Sequence, residues 1–124
     1  MASFEERSGI VSCTTDWGRW YQTVTDVTIE VILEQGTTGR EVKVDLSPSR
    51  ISCSVKGNII FQGIFFDKIV EDESTWTIED RKLLRILLVK SRVGLNYWKS
   101  LLENQYEPNL LVLTQMRHKL DLER

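Results

Sequence analysis

Apolar and polar residues alternate with a period of two through most of the chain between residues 27 and 90. The segment VTIEVIL, residues 27–33, puts its valines and its first isoleucine on one face, with Thr28 and Glu30 on the other. The alternation recurs in VKVDL and RISCSV. Such alternation is typical of strands with one face on a core, so it predicts a chain built mainly of strands.

Seven strands are predicted, joined by short turns. They lie near 20–23, in 27–33, 42–46, 50–55 and 58–66, near 76–78 and in 82–89. Gly57-Asn58 is predicted to be a hairpin turn, because both residues tolerate positive φ. The last strand is apolar on both faces except at Arg85, which predicts a position inside a sheet or under another element. Short strands at this spacing predict an all-β fold, a seven-stranded antiparallel β-sandwich.

The pattern changes after Gly94. In residues 95–107 the apolar positions come near helical spacing, with Asn96 as an N-cap. Pro108 separates this stretch from a second amphipathic pattern up to residue 123. Two C-terminal α-helices are therefore predicted to follow the sandwich. The expected organisation is a flexible N-terminal arm at 1–15, a sandwich domain at 16–92 and a helical extension at 93–124.

The 124 residues suffice for one domain with its own core. Sixteen basic residues against eighteen acidic ones give a formal net charge of -2, which does not favour nucleic-acid binding. No apolar run approaches the roughly 18 residues that span a bilayer, and the N-terminus does not resemble a signal peptide. Two cysteines without CxxC spacing fit a reducing compartment. We expect a cytoplasmic protein without membrane association.

No nucleophile is paired with a general base in the sequence. The one histidine, His118, falls on the polar side of the last predicted helix, and Cys53 points inward in an alternating strand. The acids at 71–73 and at Glu79-Asp80 lie in polar turns, where carboxylates are ionised and solvated. The GTTG segment joins two strands and lacks the Gly-Lys-Ser/Thr sequence of a phosphate loop. We therefore predict no enzymatic activity, no metal and no cofactor.

Trp17 precedes the first regular strand, and it is predicted to be either a core residue or a surface anchor for a protein partner. Arg85, on an otherwise apolar strand face, must pair inside or reach the surface, because an unpaired buried charge is costly. The candidate partner-binding residues are Trp17, Arg19, Lys82, Arg85 and Lys90.

Five segments resemble, in order and spacing, the NudC-type CS domain, which shares the sandwich of the Hsp90 co-chaperone p23. They are WGRWYQTVTDVTIEV, GTTGREVKV, RISCSVKGNIIFQGIFFDKI, DESTWTIEDRKLLRILLVK and NYWKSLLE. The ending MRHKLDLER resembles one branch of that family. The motif residues, expected to be mainly structural, are Trp20, Gln22, Thr23, Gly36, Thr37, Trp76, Thr77, Glu79, Asp80 and Trp98.

This resemblance implies a non-enzymatic co-chaperone that works with Hsp90 and stabilises β-propeller clients, including the dynein regulator Lis1. It also implies a location near microtubule-organising or spindle structures, and a monomer or weak dimer is expected. One alternative is a holdase like the small heat-shock proteins. Those proteins carry an I-x-I/V tail motif, and the segment Leu111-Val112-Leu113 of this chain loosely resembles it. A second alternative is an interaction sandwich without a chaperone role.

Overall fold

The computed structural model describes residues 2–5, 10–92 and 97–123 of the chain. Among these residues it contains nine β-strands, one short 3-10 turn at Gly39–Glu41 and one α-helix. The strands are β1 Ala2–Glu5, β2 Ile10–Thr14, β3 Gly18–Gln22, β4 Asp26–Ile32, β5 Val42–Leu46, β6 Arg50–Val55, β7 Asn58–Ile64, β8 Ile69–Glu79 and β9 Leu83–Lys90, and the helix is α1 Leu110–Glu123.

The strands form two antiparallel sheets that enclose one apolar core. The larger sheet has the order β1-β2-β3-β4-β9-β8, and the smaller has the order β5-β6-β7. The predicted all-β antiparallel sandwich is confirmed, and the seven predicted strands correspond to β3–β9. The strand number differs, because residues 1–15 contribute β1 and β2 where a flexible arm was expected. Val11 and Cys13 of β2 are buried in the core, which explains why this segment joins the sheet.

β9 lies inside the larger sheet, between β4 and β8, as its two apolar faces predict. Its inward residues Leu84, Ile86 and Leu88 are fully buried. The turn between β6 and β7 is Lys56-Gly57, with φ of 52° and 82°, one residue earlier than the sequence predicts. Positive φ at both central residues is the geometry that a two-residue hairpin requires.

The predicted first C-terminal helix is absent from residues 97–109, which run in turns and bridges. Trp98, Leu101 and Leu102 are fully buried, and Leu102 forms an isolated bridge with Phe65. We call residues 97–109 the strap. The helical spacing of Trp98, Leu101 and Leu102 arises because these three side chains anchor the irregular strap in the core. Positive φ at Asn104 and Tyr106 also opposes a helix. The predicted cap, Asn96, lies outside the described residues.

The second predicted helix is present as α1, whose buried residues are Val112, Met116 and Leu120. The side chain of Asn109 caps it, since Asn109 Oδ1 accepts a hydrogen bond from the Val112 amide at 3.0 Å. α1 packs against β2. No helix in the described part of the chain has the length and apolar composition needed to cross a bilayer.

Candidate interaction surface

Arg85 belongs to a row of charged side chains that crosses the outer face of the larger sheet. Antiparallel pairing sets Arg19 opposite Glu30, and Glu30 opposite Arg85. Arg19 Nε donates to Glu30 Oε1 at 2.6 Å, and Arg85 Nε donates to Glu30 Oε2 at 3.0 Å. Arg85 also forms an ion pair with Glu79. We call Arg19, Glu30, Arg85 and Glu79 the charged row.

Glu30 is the fixed centre of the charged row. Burial by itself raises the pKa of its carboxyl, but the hydrogen bonds and charges of Arg19 and Arg85 outweigh burial and hold that pKa below its ordinary value. Tyr21 Oη donates to Glu30 Oε2 at 3.2 Å, and the Arg19 guanidinium lies 5.2 Å from the Tyr21 ring centroid. The arginines are therefore held by one carboxylate while part of each remains at the surface.

The two arginines of the charged row are partly exposed. The side chain of Arg85 is 39% exposed and that of Arg19 is 25% exposed. A guanidinium keeps its positive charge at every physiological pH, so both arginines carry that charge to the surface. Leu87, two residues along β9, is an exposed apolar side chain beside the row. The binding roles of Arg19 and Arg85 stay predictions.

Two of the candidate binding residues are buried. The predicted surface position of Lys90 is therefore wrong, whereas for Trp17 the burial favours core packing, one of the two positions that the sequence left open. Trp17 is 8% exposed, and its ring stacks on Phe61 at 4.6 Å between centroids. Lys90 is 2% exposed, and its Nζ donates to Gln22 Oε1 at 2.8 Å and to the Thr23 carbonyl at 2.7 Å. Lys82 is exposed in the turn between β8 and β9, so its binding role stays a prediction.

Gln22 joins the strap to the larger sheet. Its Nε2 donates to the Trp98 carbonyl at 2.8 Å, and its Oε1 accepts from the Trp98 amide at 2.8 Å. Trp20 Nε1 donates to the Tyr106 carbonyl at 3.0 Å. These bonds replace the internal bonds of a helix, which the sequence could not reveal because the partners lie 76 and 86 positions apart.

The remaining motif residues shape turns and edges. The Gly36 amide donates to the Arg81 carbonyl at 3.0 Å, and the buried Thr37 hydroxyl donates to the Glu34 carbonyl at 2.5 Å. Thr23 Oγ1 accepts from the Asp26 amide at 3.1 Å in the turn before β4. Trp76 packs partly buried against the core, Thr77 is exposed, and Asp80 has a φ of 53° in its turn.

The titratable groups with nucleophilic character are poorly placed for chemistry. Burial raises the pKa of Cys53 to about 11, and burial also raises the pKa of Cys13. Both thiols therefore stay protonated and unreactive at neutral pH. His118 is exposed on α1. Within residues 2–5, 10–92 and 97–123, no cluster of three His, Cys, Asp or Glu residues could hold a metal ion.

Comparison with known proteins relates this geometry to a family. Residues 16–90 match the CS domain. The chain is 48% identical to NudC domain-containing protein 2 of Homo sapiens over 124 residues, which cover 99% of this chain and 79% of that protein. It resembles the crystal structure of NudC domain-containing protein 2 from Mus musculus with a TM-score of 0.59 at 41% identity, over 97% of this chain and 92% of that one.

A further structural likeness concerns the fold alone. The CS domain of the human KIAA1068 protein has a TM-score of 0.71 over 89% of this chain and 93% of that one, at 22% identity. The sandwich fold is therefore shared with a protein of low sequence identity.

Proposed function

The chain belongs to the CS-domain family, in its NudC branch, and on that basis we propose that it is a non-enzymatic co-chaperone. It binds Hsp90 and stabilises β-propeller clients, among them the dynein regulator Lis1. It works in the cytoplasm, near microtubule-organising or spindle structures. The observation that carries this proposal is the 48% identity to NudC domain-containing protein 2 over nearly the whole chain.

The charged row, together with Lys82 and Leu87, is the surface through which the protein binds. The partly exposed positive charges of Arg19 and Arg85 attract carboxylates of the partner, and Leu87 adds apolar area. Because Glu30 already orders both arginines, binding costs less side-chain entropy than it would for free arginines.

Lys82→Glu tests this surface without disturbing the ion pairs of the row. The exposed Lys82 lies beside the start of β9, so charge reversal repels an acidic partner and weakens Hsp90 binding several-fold in isothermal titration calorimetry. Lys43→Glu is the matched control, because Lys43 is equally an exposed lysine but lies on the smaller sheet. The control keeps wild-type affinity.

The possible results separate the surface from the function. Equal affinity for both variants and the wild type would place the binding surface elsewhere. A wild-type protein that neither binds Hsp90 nor protects a β-propeller client from aggregation would overturn the co-chaperone proposal and leave an interaction sandwich. A large polydisperse particle in light scattering would favour a holdase like the small heat-shock proteins.

A further inference from the structure

β8 is the last strand of the larger sheet, and within residues 2–5, 10–92 and 97–123 only β9 pairs with it. Residues 75–79 pair with β9 one by one and without a break. In the described chain, no backbone hydrogen bond joins residues 71–78 to a segment beyond β8 and β9. We call residues 75–79 the open edge, because their outer side offers amide and carbonyl groups to an added strand.

A bulge protects only the part of β8 that precedes the open edge. Residues 71–74 face Leu88 alone on β9. Ser74 Oγ donates to the Val70 carbonyl at 2.9 Å and accepts from the Val89 amide at 3.1 Å, so this hydroxyl closes the gap in the ladder. Proteins prevent edge pairing with bulges and charges. The sequence TWTI that follows the bulge has neither.

The core side of the open edge is incompletely covered. Trp76 and Ile78 pack against the core, yet both side chains remain partly exposed. Their partners on β9, Ile86 and Leu84, are fully buried, because β9 has a strand on each side. An added strand would give the open edge the same second neighbour. Burial of the remaining apolar surface of Trp76 and Ile78 therefore favours its docking.

The charge of β8 determines which kind of strand can be added. β8 carries the acids Glu71, Asp72, Glu73 and Glu79 and no basic residue. Glu79 pairs with Arg85, whereas the three acids of the bulge are exposed and form no ion pair within the described chain. Adding the β8 strand of a second copy would bring two acidic strands together, and like-charge repulsion disfavours this. A segment with lysines or arginines is attracted to the same strand.

We propose that the open edge binds an extended, basic segment of a partner protein by strand addition. Backbone groups of the segment pair with residues 75–79, and two of its side chains cover Trp76 and Ile78. The segment runs antiparallel to β8, as every strand pair of the larger sheet does, so its basic C-terminal end lies beside the acids of the bulge. The site is a backbone edge, whereas the charged row lies on the outer face of the sheet. The inference therefore goes beyond the proposed function and does not depend on it.

The amide signals of the 15N-labelled protein report directly on strand addition. The probe is the peptide Ser-Val-Thr-Val-Ser-Lys-Lys-Lys with both ends capped. Successive amides of a strand point to opposite edges. We therefore expect every second amide of residues 75–79 to show a saturable downfield shift and to gain protection from hydrogen exchange. The amides between them, already bonded to β9, should change little.

Peptide variants separate backbone pairing from charge. In one peptide the amide of the first valine is N-methylated, and in a second peptide the amide of the threonine next to it. Because these two amides face opposite edges, one methyl group should abolish binding and the other should leave the affinity within about twofold. Replacing the three lysines by glutamates should weaken binding by about tenfold or more. Moving the lysines to the N-terminal end should weaken it several-fold, because they then lie away from the bulge.

A protein variant tests the role of the acids. Glu73→Lys should weaken binding several-fold, because it replaces an attraction to the peptide lysines by a repulsion. Glu103→Lys makes the same change at an exposed position of the strap and should keep the wild-type affinity. Both residues are exposed, so both variants should unfold at nearly the wild-type temperature.

Four results would overturn the proposal. The first is the absence of alternating shifts in residues 75–79 at peptide concentrations of a few millimolar, the weakest useful affinity. The second is equal affinity of the two N-methylated peptides. The third is equal affinity of Glu73→Lys and Glu103→Lys. The fourth is the same pattern of shifts on raising the protein concentration without peptide, which would make a second copy of the chain the occupant.

Discussion

The ammonium group of Lys90 lies inside the sandwich, where Gln22 Oε1 and the Thr23 carbonyl accept its hydrogen bonds. Gln22 also binds both backbone groups of Trp98. A single lysine thus supports the amide side chain that attaches the strap. Its role is structural, and the earlier idea of Lys90 as a partner-binding residue does not fit this position.

Lys90→Glu should therefore destabilise the fold, since it puts a carboxylate against two oxygen acceptors in a buried site. We expect a loss of about 3–5 kcal/mol in urea unfolding, or no folding at all. Lys82→Glu reverses the same charge at an exposed site and should change the free energy of unfolding by less than about 0.5 kcal/mol. Equal effects of the two substitutions would contradict the buried role.

Glu30 makes stability depend on pH in the acid range. Its pKa is lower in the folded protein than in the unfolded chain, so unfolding takes up a proton at acid pH. The stabilisation is present above the ordinary pKa of about 4.3 and is lost as pH falls through the lower folded pKa. Glu30→Gln should be less stable at neutral pH and should lose less stability than the wild type from about pH 5 downwards.

Thermal unfolding across this pH range measures the difference. Glu71→Gln, at an exposed acidic position of β8, makes the same chemical change and should keep the wild-type pH dependence. An identical pH dependence in Glu30→Gln and the wild type would show that the charged row does not contribute to acid sensitivity.

The pairing of β3 with β4 depends on a close approach of their backbones. An ideal Cβ on Gly18 would lie 1.9 Å from the Glu30 carbonyl oxygen, whereas a Cβ on Gly39 would meet nothing within 4 Å. Gly18 therefore allows the register in which Arg19 faces Glu30. The first glycine sets the position of the charged row, and the second only serves a turn.

Gly18→Ala should destabilise the protein by more than about 2 kcal/mol, because the clash is with backbone and cannot be relieved by a side-chain rotation. Gly39→Ala should change stability by no more than about 0.5 kcal/mol. Denaturant unfolding of both variants checks this. A Gly18→Ala protein as stable as Gly39→Ala would mean that β3 and β4 separate without cost.

The elements differ in how far local sequence determines them. β3–β7 and β9 were predictable because alternation along each strand reports which face is buried. Only the part of β8 near residues 76–78 was predicted, and the polar turn predicted for the acids 71–73 is wrong, since they belong to β8. Lys90 falls on the same face of β9 as Leu84, Ile86 and Leu88, so the alternation predicts its burial. Its charge led instead to the prediction of a surface role. Trp17 lies outside a strand, so alternation cannot predict which way its side chain faces. The strap was misassigned because its anchors have helical spacing and its Gln22 bonds are long-range.

At the scale of the whole molecule, the C-terminal segments are part of the core rather than an appendage. The buried core cluster includes Trp98, Leu101 and Leu102 of the strap, and Val112 and Met116 of α1. The sandwich would expose these apolar contacts if the chain ended after β9. The 16–92 unit predicted from sequence is therefore not expected to be independently stable.

A fragment of residues 16–92 should lack a cooperative thermal transition and dispersed amide signals in NMR spectra. The reason is that it loses β2 and every anchor of the strap and α1, and each buried aromatic or aliphatic side chain contributes roughly 1.5–3 kcal/mol. The complete chain is the control. A fragment with native-like dispersion would show that β3–β9 form a self-sufficient core.

The joining of β4 to β9 affects how the protein acquires its structure. Glu30 and Arg85 meet across 55 positions, and Gln22 and Trp98 across 76. During synthesis on a ribosome, β4 can pair with β9 only after β9 has emerged, and Gln22 of β3 can bind the strap only after the strap has emerged. Closing such long loops is slow compared with forming local hairpins. A nascent chain of this protein therefore passes through a period in which β4 pairs with β3 on one edge only and its other edge is open, an arrangement that favours aggregation.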